Sequence, residues 1–272
     1  MMFFRKLAAV AAIAVIMVPG GAAAEPRTPT DKWVVNFDDA QCVAYRKYGT
    51  DQKPLTLMLK APPAGEVLQL FVMRKGAALE GAEQIGGQVR SGDGPEKQMS
   101  VLAYSPPKSG RRVFRYNLPK DEVVGWTNSR TLEVRAEPGL REAFALSGLQ
   151  PVLKVMDECV ANLRTAWNYA EKDAPSKNLQ RAEGNLAGLI SWKDYPQVNL
   201  RNYQMGSVGV VVLIDTAGKV ADCSLIETSG VAALDAQTCA LIKDRAKFKP
   251  AVGADGRPAR DTFFQRITWR IQ

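Results

Sequence analysis

The chain contains no histidine. Imidazole is the side chain best suited to proton transfer near neutral pH, and the commonest metal ligand. Without it, a Ser-His or Cys-His nucleophile pair is excluded, and so is every zinc site that uses imidazole. Glycine-rich phosphate cradles are lacking too. Ser91 to Pro95 is glycine-rich, but no GKS or GxGxxG context follows, so it reads as a hairpin loop. Long apolar runs are absent except near the N-terminus, where Leu7 to Val18 is unbroken. That run is shorter than the ~20 residues a spanning helix needs.

Arg5 and Lys6 precede the run, Pro19 and Gly20-Gly21 end it, and Ala22-Ala23-Ala24 supplies small residues for cleavage. The pattern predicts a signal peptide over 1–24 and a mature chain starting at Glu25 in the periplasm. The alternative is an uncleaved inner-membrane anchor with the rest of the chain facing the periplasm. The formal net charge is +8. The densest basic cluster is KDRAKFK, Lys243 to Lys249. An exported chain seldom meets nucleic acid, so the excess reads as a solvated basic face or a contact with an acidic envelope surface.

A length of 272 residues suggests two domains. From Trp33 to Leu146 short strands such as PLTLMLK, EVLQLFVMR and RRVFRYNL alternate with turn signals such as Pro62-Pro63 and Pro106-Pro107. This predicts an antiparallel β-sandwich or barrel. A helix should close it. Ser147 and Gln150 have capping-box spacing, and Leu149, Val152, Met156, Cys159, Val160, Leu163 and Trp167 recur at helical intervals. The β-rich domain therefore spans 25–167, and a polar linker spans 168–191.

A second module spans 192–272. Tyr195-Pro196 opens it. The run G-x-V-x-V-x-x-x-I-D-x-x-G-K-V follows from Gly206 through Gly218 to Val220, then S-G-x-x-x-L-D with Ser229, Gly230, Leu234 and Asp235. Phe248-Lys-Pro250-Ala, Asp255-Gly-x-Pro258 and a closing strand with Ile267-Thr268-Trp269 complete it. In this order the residues resemble the C-terminal domain of TonB-type energy transducers. The resemblance implies a small α+β domain, a helix on an antiparallel sheet. It also implies a partner: an extended peptide of an outer-membrane transporter, gripped as an added strand. Full transducers of this type carry an anchor bearing a histidine and a long Pro-rich spacer; this chain has neither the histidine nor such a spacer.

The expected binding edge is the last strand, Gln265, Arg266, Ile267, Thr268, Trp269 and Arg270. Phe263, Ile267, Trp269 and Ile271 fall on one side and Arg266, Thr268 and Arg270 on the other. The arginines either meet an acidic partner or blunt the edge against aggregation.

The cysteines are Cys42, Cys159, Cys223 and Cys239, and four cysteines allow three pairings. The domain division selects Cys42 with Cys159 and Cys223 with Cys239. Two cysteines per domain do not make a zinc site, and a nucleophilic cysteine would lack its histidine, so staples are expected. No metal or cofactor is expected. The function expected is strand-capturing protein binding, with a membrane-anchored energy transducer as the alternative. An envelope hydrolase is disfavoured. Asp38-Asp39 and Asp121-Glu122 are adjacent pairs, which on a strand face opposite sides.

Overall fold

The structure, a computed structural model, describes residues 25–64, 66–170, 176–186 and 188–271. The expected signal peptide, 1–24, lies outside the described residues, as do 171–175 and 187 of the expected linker.

Nine strands form the N-terminal sheet: β1 (Val34–Phe37), β2 (Cys42–Gly49), β3 (Pro54–Ala61), β4 (Val67–Lys75), β5 (Glu83–Ser91), β6 (Lys97–Tyr104), β7 (Arg111–Pro119), β8 (Thr131–Glu137) and β9 (Leu140–Ala145). Their order is β1-β2-β3-β4-β7-β6-β5-β8-β9, and every neighbouring pair is antiparallel. Period-two alternation sets the inner face. In β3, Leu55, Leu57, Leu59 and Ala61 are buried while Thr56, Met58 and Lys60 are only partly covered. The sheet curls into a half-barrel. Residues 27–30 lie between its ends, with Arg27 exchanging backbone hydrogen bonds with Ala143 and Ala145 of β9 and Thr30 donating to Lys47 of β2.

Helix α1 (Lys120–Gly125) follows β7, and helix α2 (Leu149–Ala166) follows β9. Leu149, Val152, Leu153, Met156, Val160 and Leu163 of α2 are buried in the N-terminal core. Each such side chain contributes about 1.5–3 kcal/mol on full burial. Cys159 on that face is bonded to Cys42 of β2. The expected Ser147–Gln150 capping box does not form. Gly148, at φ 75°, precedes the helix, and no side chain caps it. Ser147 is engaged elsewhere: Arg46 donates to its Oγ and carbonyl, and Trp33 donates its indole N–H to the same carbonyl.

Beyond residue 176 the elements are β10 (Glu183–Gly184), α3 (Gln197–Arg201), β11 (Gly206–Ile214), β12 (Val220–Glu227), α4 (Ala232–Arg245), β13 (Phe248–Lys249), β14 (Ala251–Val252), β15 (Pro258–Ala259) and β16 (Asp261–Trp269). The main C-terminal sheet has the order β12-β11-β16 and is antiparallel. Helix α4 covers one face. Its Leu234, Leu241 and Ile242 pack with Val208, Val210 and Val212 of β11, and Cys239 is bonded to Cys223 of β12.

The two parts dock through apolar contacts, with Val67 of β4 in the C-terminal core and Leu213 of β11 in the N-terminal one, and through polar contacts. The first turn of a helix has backbone N–H groups without intrahelical partners. In α4, two of these are answered by the β-rich part: Ala232 donates to Ser100 Oγ and Ala233 to Gln84 Oε1. Lys60 of β3 pairs with Asp222 of β12 at 3.3 Å. At another point Arg260 lies over the Trp167 ring, 4.5 Å from its centroid, and forms a two-point pair with Asp39. No helix among the described residues is long and apolar enough to cross a membrane.

Candidate functional site

The site is built on β16, an edge strand. One side of β16 is fully paired to β11, from Asp261 opposite Ile214 to Trp269 opposite Gly206, without a register shift. Among the described residues, no strand pairs with the other side. Which backbone groups face outward follows from the carbonyls that accept side-chain donors. Asn168 and Asn178 donate to the Arg260 carbonyl, Arg181 to that of Thr262, and Gln265 Nε2 to that of Arg266. These positions share one parity. Outward groups in a strand recur every second residue, so Phe264 and Thr268 also present their N–H and C=O to the open side. The start of the edge is closed by Arg181 and Ala182, both of which donate to the Asp261 carboxyl group. From Phe263 onward it borders a groove of 880 Å³, also lined by Leu186, Ile190, Trp192 and Tyr195.

The groove rests on a fixed floor. Trp269 is buried and donates its indole N–H to Thr238 Oγ1 of α4 at 2.9 Å. Its ring meets Tyr195 edge-on at 5.2 Å, and the Tyr195 hydroxyl donates to the Gln204 carbonyl at 2.6 Å. Pro196 follows and precedes α3. Ahead of Tyr195, Ser191 and Asp194 form a capping box, and Arg245 of α4 clamps Asp194 with two bonds. That guanidinium, joined by the Ser191 N–H and hydroxyl, holds the Asp194 carboxyl well below the usual carboxylate range. Trp192, within the box, is 77% exposed.

The expected edge residues divide by what they touch. Trp269 faces the core, and Ile267 is partly buried against it. Thr268 is exposed, with its hydroxyl 3.0 Å from that of Ser207. Arg266 is exposed but paired to Glu227 on the far strand β12. Gly209 lies opposite both residues, so no side chain of β11 stands between them. The Arg266 charge is thus partly committed within the sheet. Arg270 is exposed, with no ion-pair partner among the described residues. Backbone groups, with Arg270 beside them, are what this edge offers a partner.

The remaining motif residues shape the sheet around β16. Gly218 has φ 77°, and a Cβ there would lie 2.0 Å from the Phe248 carbonyl oxygen, which fixes the β11–β12 turn against β13. Phe248 N–H in turn donates to the Gly218 carbonyl. Pro250 follows β13 and leads into β14. A Cβ on Gly206 would approach Ser229 Cβ to 2.7 Å, so β11 starts tight against the Ser229-Gly230 turn. Asp235 is buried and accepts from Thr228 Oγ1, from Ser229 N–H and Oγ, and from Asn117 of β7.

The sequence reading missed Leu186, Ile190 and Trp192. The S-W-K-D spacing of Ser191 to Asp194 is a capping-box signal that points to Trp192; Leu186 and Ile190 carry none. No match was found among curated proteins or among solved structures. What the ordered motifs, the sheet with one open edge and the Tyr195–Trp269 floor have in common is their place in the chain, for residues 192–271 match the family described as Gram-negative bacterial TonB protein C-terminal.

Proposed function

We propose that the protein is a non-enzymatic binding protein of the periplasm, acting in TonB-dependent transport, that takes an extended peptide of an outer-membrane transporter as a strand beside β16. The observation that carries this reading is the open outward register of β16 at Thr268, above a groove with a rigid aromatic floor. In strand addition, main-chain hydrogen bonds supply affinity and pockets for alternate side chains supply specificity. Exposed Arg270 would favour an acidic residue near one end of the peptide, while the apolar groove favours alternate apolar side chains. The β-rich part holds the C-terminal sheet at the first turn of α4, at Asp222 of β12 and at Arg260 ahead of β16, away from the Thr268 end of the edge.

The test is a proline at Thr268. Proline removes the outward N–H while leaving the core untouched. Thr268→Pro should lose at least tenfold in affinity for synthetic transporter-derived peptides, measured by fluorescence anisotropy. Thr268→Ala keeps the backbone and should bind as the parent does. Circular dichroism establishes that both variants are folded. Full binding by a folded Thr268→Pro protein would place the partner elsewhere.

A further inference from the structure

Between the β-rich part and α4 lies a polar cleft of 280 Å³, separate from the β16 groove. Lys60 of β3, Arg115 of β7 and Lys243 of α4 line it, together with Asp235. Asp222 borders it through its pairs with Lys60 and Lys243. Both carboxyl groups are already supplied with donors. Asp222 accepts from Lys60, Lys243 and Ser224. Asp235 accepts from Asn117, Thr228 and Ser229.

Arg115 is the exception. Its Nε and Nη2 are buried and have no hydrogen-bond acceptor among the described residues. Its neighbours across the sheet are Phe71 and Leu102, which offer no side-chain acceptor. On the helix side, Ala236 and Ala240 are small and leave room beside the guanidinium. Burial pulls the Arg115 pKa below its usual value, with Tyr104 and Asp235 opposing the shift. Three cationic groups thus face two acidic ones, an excess of one positive charge. Buried charges are normally paired, because taking an uncompensated one out of water is strongly unfavourable.

The unanswered donors are also the informative ones. Nε–H and one Nη2–H leave the same edge of the guanidinium plane, in parallel. That fork matches two oxygens of a carboxylate or a phosphate group. We propose that this cleft binds a small oxyanion, gripped by the Nε–H and Nη2–H fork of Arg115 with the ammonium groups of Lys60 and Lys243 alongside. The site draws on both halves of the molecule, so the anion strengthens the docking of the C-terminal sheet on the β-rich part.

The probes are sodium acetate and inorganic phosphate, each added to the full chain against sodium chloride at equal ionic strength, with thermal unfolding as the readout. At least one oxyanion should raise Tm saturably above the chloride control, by roughly 5 °C or more at a hundredfold excess over Kd. Response to both probes assigns the shared oxyanion chemistry, and response to one names the class. Arg115→Met removes the fork and should abolish the rise. Lys243→Ala, on the accessible helix surface, gives a reading independent of the folding of the Arg115 variant, and should weaken anion binding severalfold. A Tm no higher in either oxyanion than in chloride, or a rise of equal size in folded Arg115→Met, overturns the proposal.

Discussion

Asn117 Nδ2 donates to Asp235 Oδ2 at 2.9 Å, joining the outer face of β7 to the first turn of α4. Asp235 also holds the Thr228–Ser229 turn that meets the start of β11. One side chain therefore serves two purposes: it shapes the C-terminal fold and fixes its seat. Asp235→Ala leaves several half-buried donors unanswered and should cost roughly 3 kcal/mol. Asn117→Ala removes only the bond between the two parts and should cost about 1–2 kcal/mol. Urea unfolding of the two variants measures both. Equal losses would mean that the turn contacts of Asp235 contribute nothing.

Asp222 gives the docking surface a pH dependence. Burial alone would raise its pKa, but Lys60 and Lys243 outweigh burial and hold it below the usual value. Lys60 is shifted down, chiefly by burial, with Asp222 opposing. A carboxyl whose folded pKa is depressed contributes stability that is present above the unfolded value, about 3.9, and lost as pH falls through the folded one. Asp222→Asn should therefore be clearly less stable than the parent at pH 7, by about 3–5 kcal/mol for a broken buried pair. The difference should close as pH falls below the ordinary aspartate range. Denaturant titrations of both proteins between pH 7 and pH 2 check this, and a gap of constant size would refute it.

The disulfides act on different lengths of chain. Cys223 and Cys239 are separated by 16 residues, Cys42 and Cys159 by 117. Chain-entropy arguments give about 3 kcal/mol for the shorter closure and roughly 4–5 kcal/mol for the longer. The double variants Cys223→Ala/Cys239→Ala and Cys42→Ala/Cys159→Ala should lose stability in that order, the second more than the first. Non-reducing peptide mapping checks the pairing itself. A Cys159–Cys223 peptide would contradict it.

What was legible in the sequence follows from how local each cause is. The alternation of Leu55, Leu57 and Leu59 announces β3 without reference to any other strand. The apolar stripe of α2 is equally local. The Ser147–Gln150 pattern misled because Arg46, far away in sequence, claims Ser147 first. At the edge strand, the order of motifs pointed to β16, but two facts depend on the sheet around it. Arg266 reaches Glu227 because Gly209 separates them, and the outward register is read from Arg181 and Gln265. Ser100, Gln84 and Asn117 carried no signal at all, since each looks like an ordinary polar residue on the outer face of a sheet until α4 is placed against it.

Gly218 and Gly230 test how the motif glycines act, since both have φ 77° but different surroundings. A Cβ at Gly230 meets nothing within 4 Å, whereas one at Gly218 would lie 2.0 Å from the Phe248 carbonyl oxygen. The left-handed conformation alone costs an L-residue roughly 1–2 kcal/mol, and Gly230→Ala should lose about that much. Gly218→Ala carries the same conformational cost and must also push β13 away from the β11–β12 turn, which breaks the bond from Phe248 N–H to the Gly218 carbonyl. Its loss should exceed that of Gly230→Ala by at least about 1 kcal/mol, the net worth of a typical backbone hydrogen bond. Phe248 packs against Phe263 at the start of the open edge, with ring centroids 5.2 Å apart. The displacement therefore reaches the groove, and Gly218→Ala should weaken peptide capture where Gly230→Ala leaves it unchanged. Equal stability and equal capture in the two variants would mean that the turn moves freely against β13.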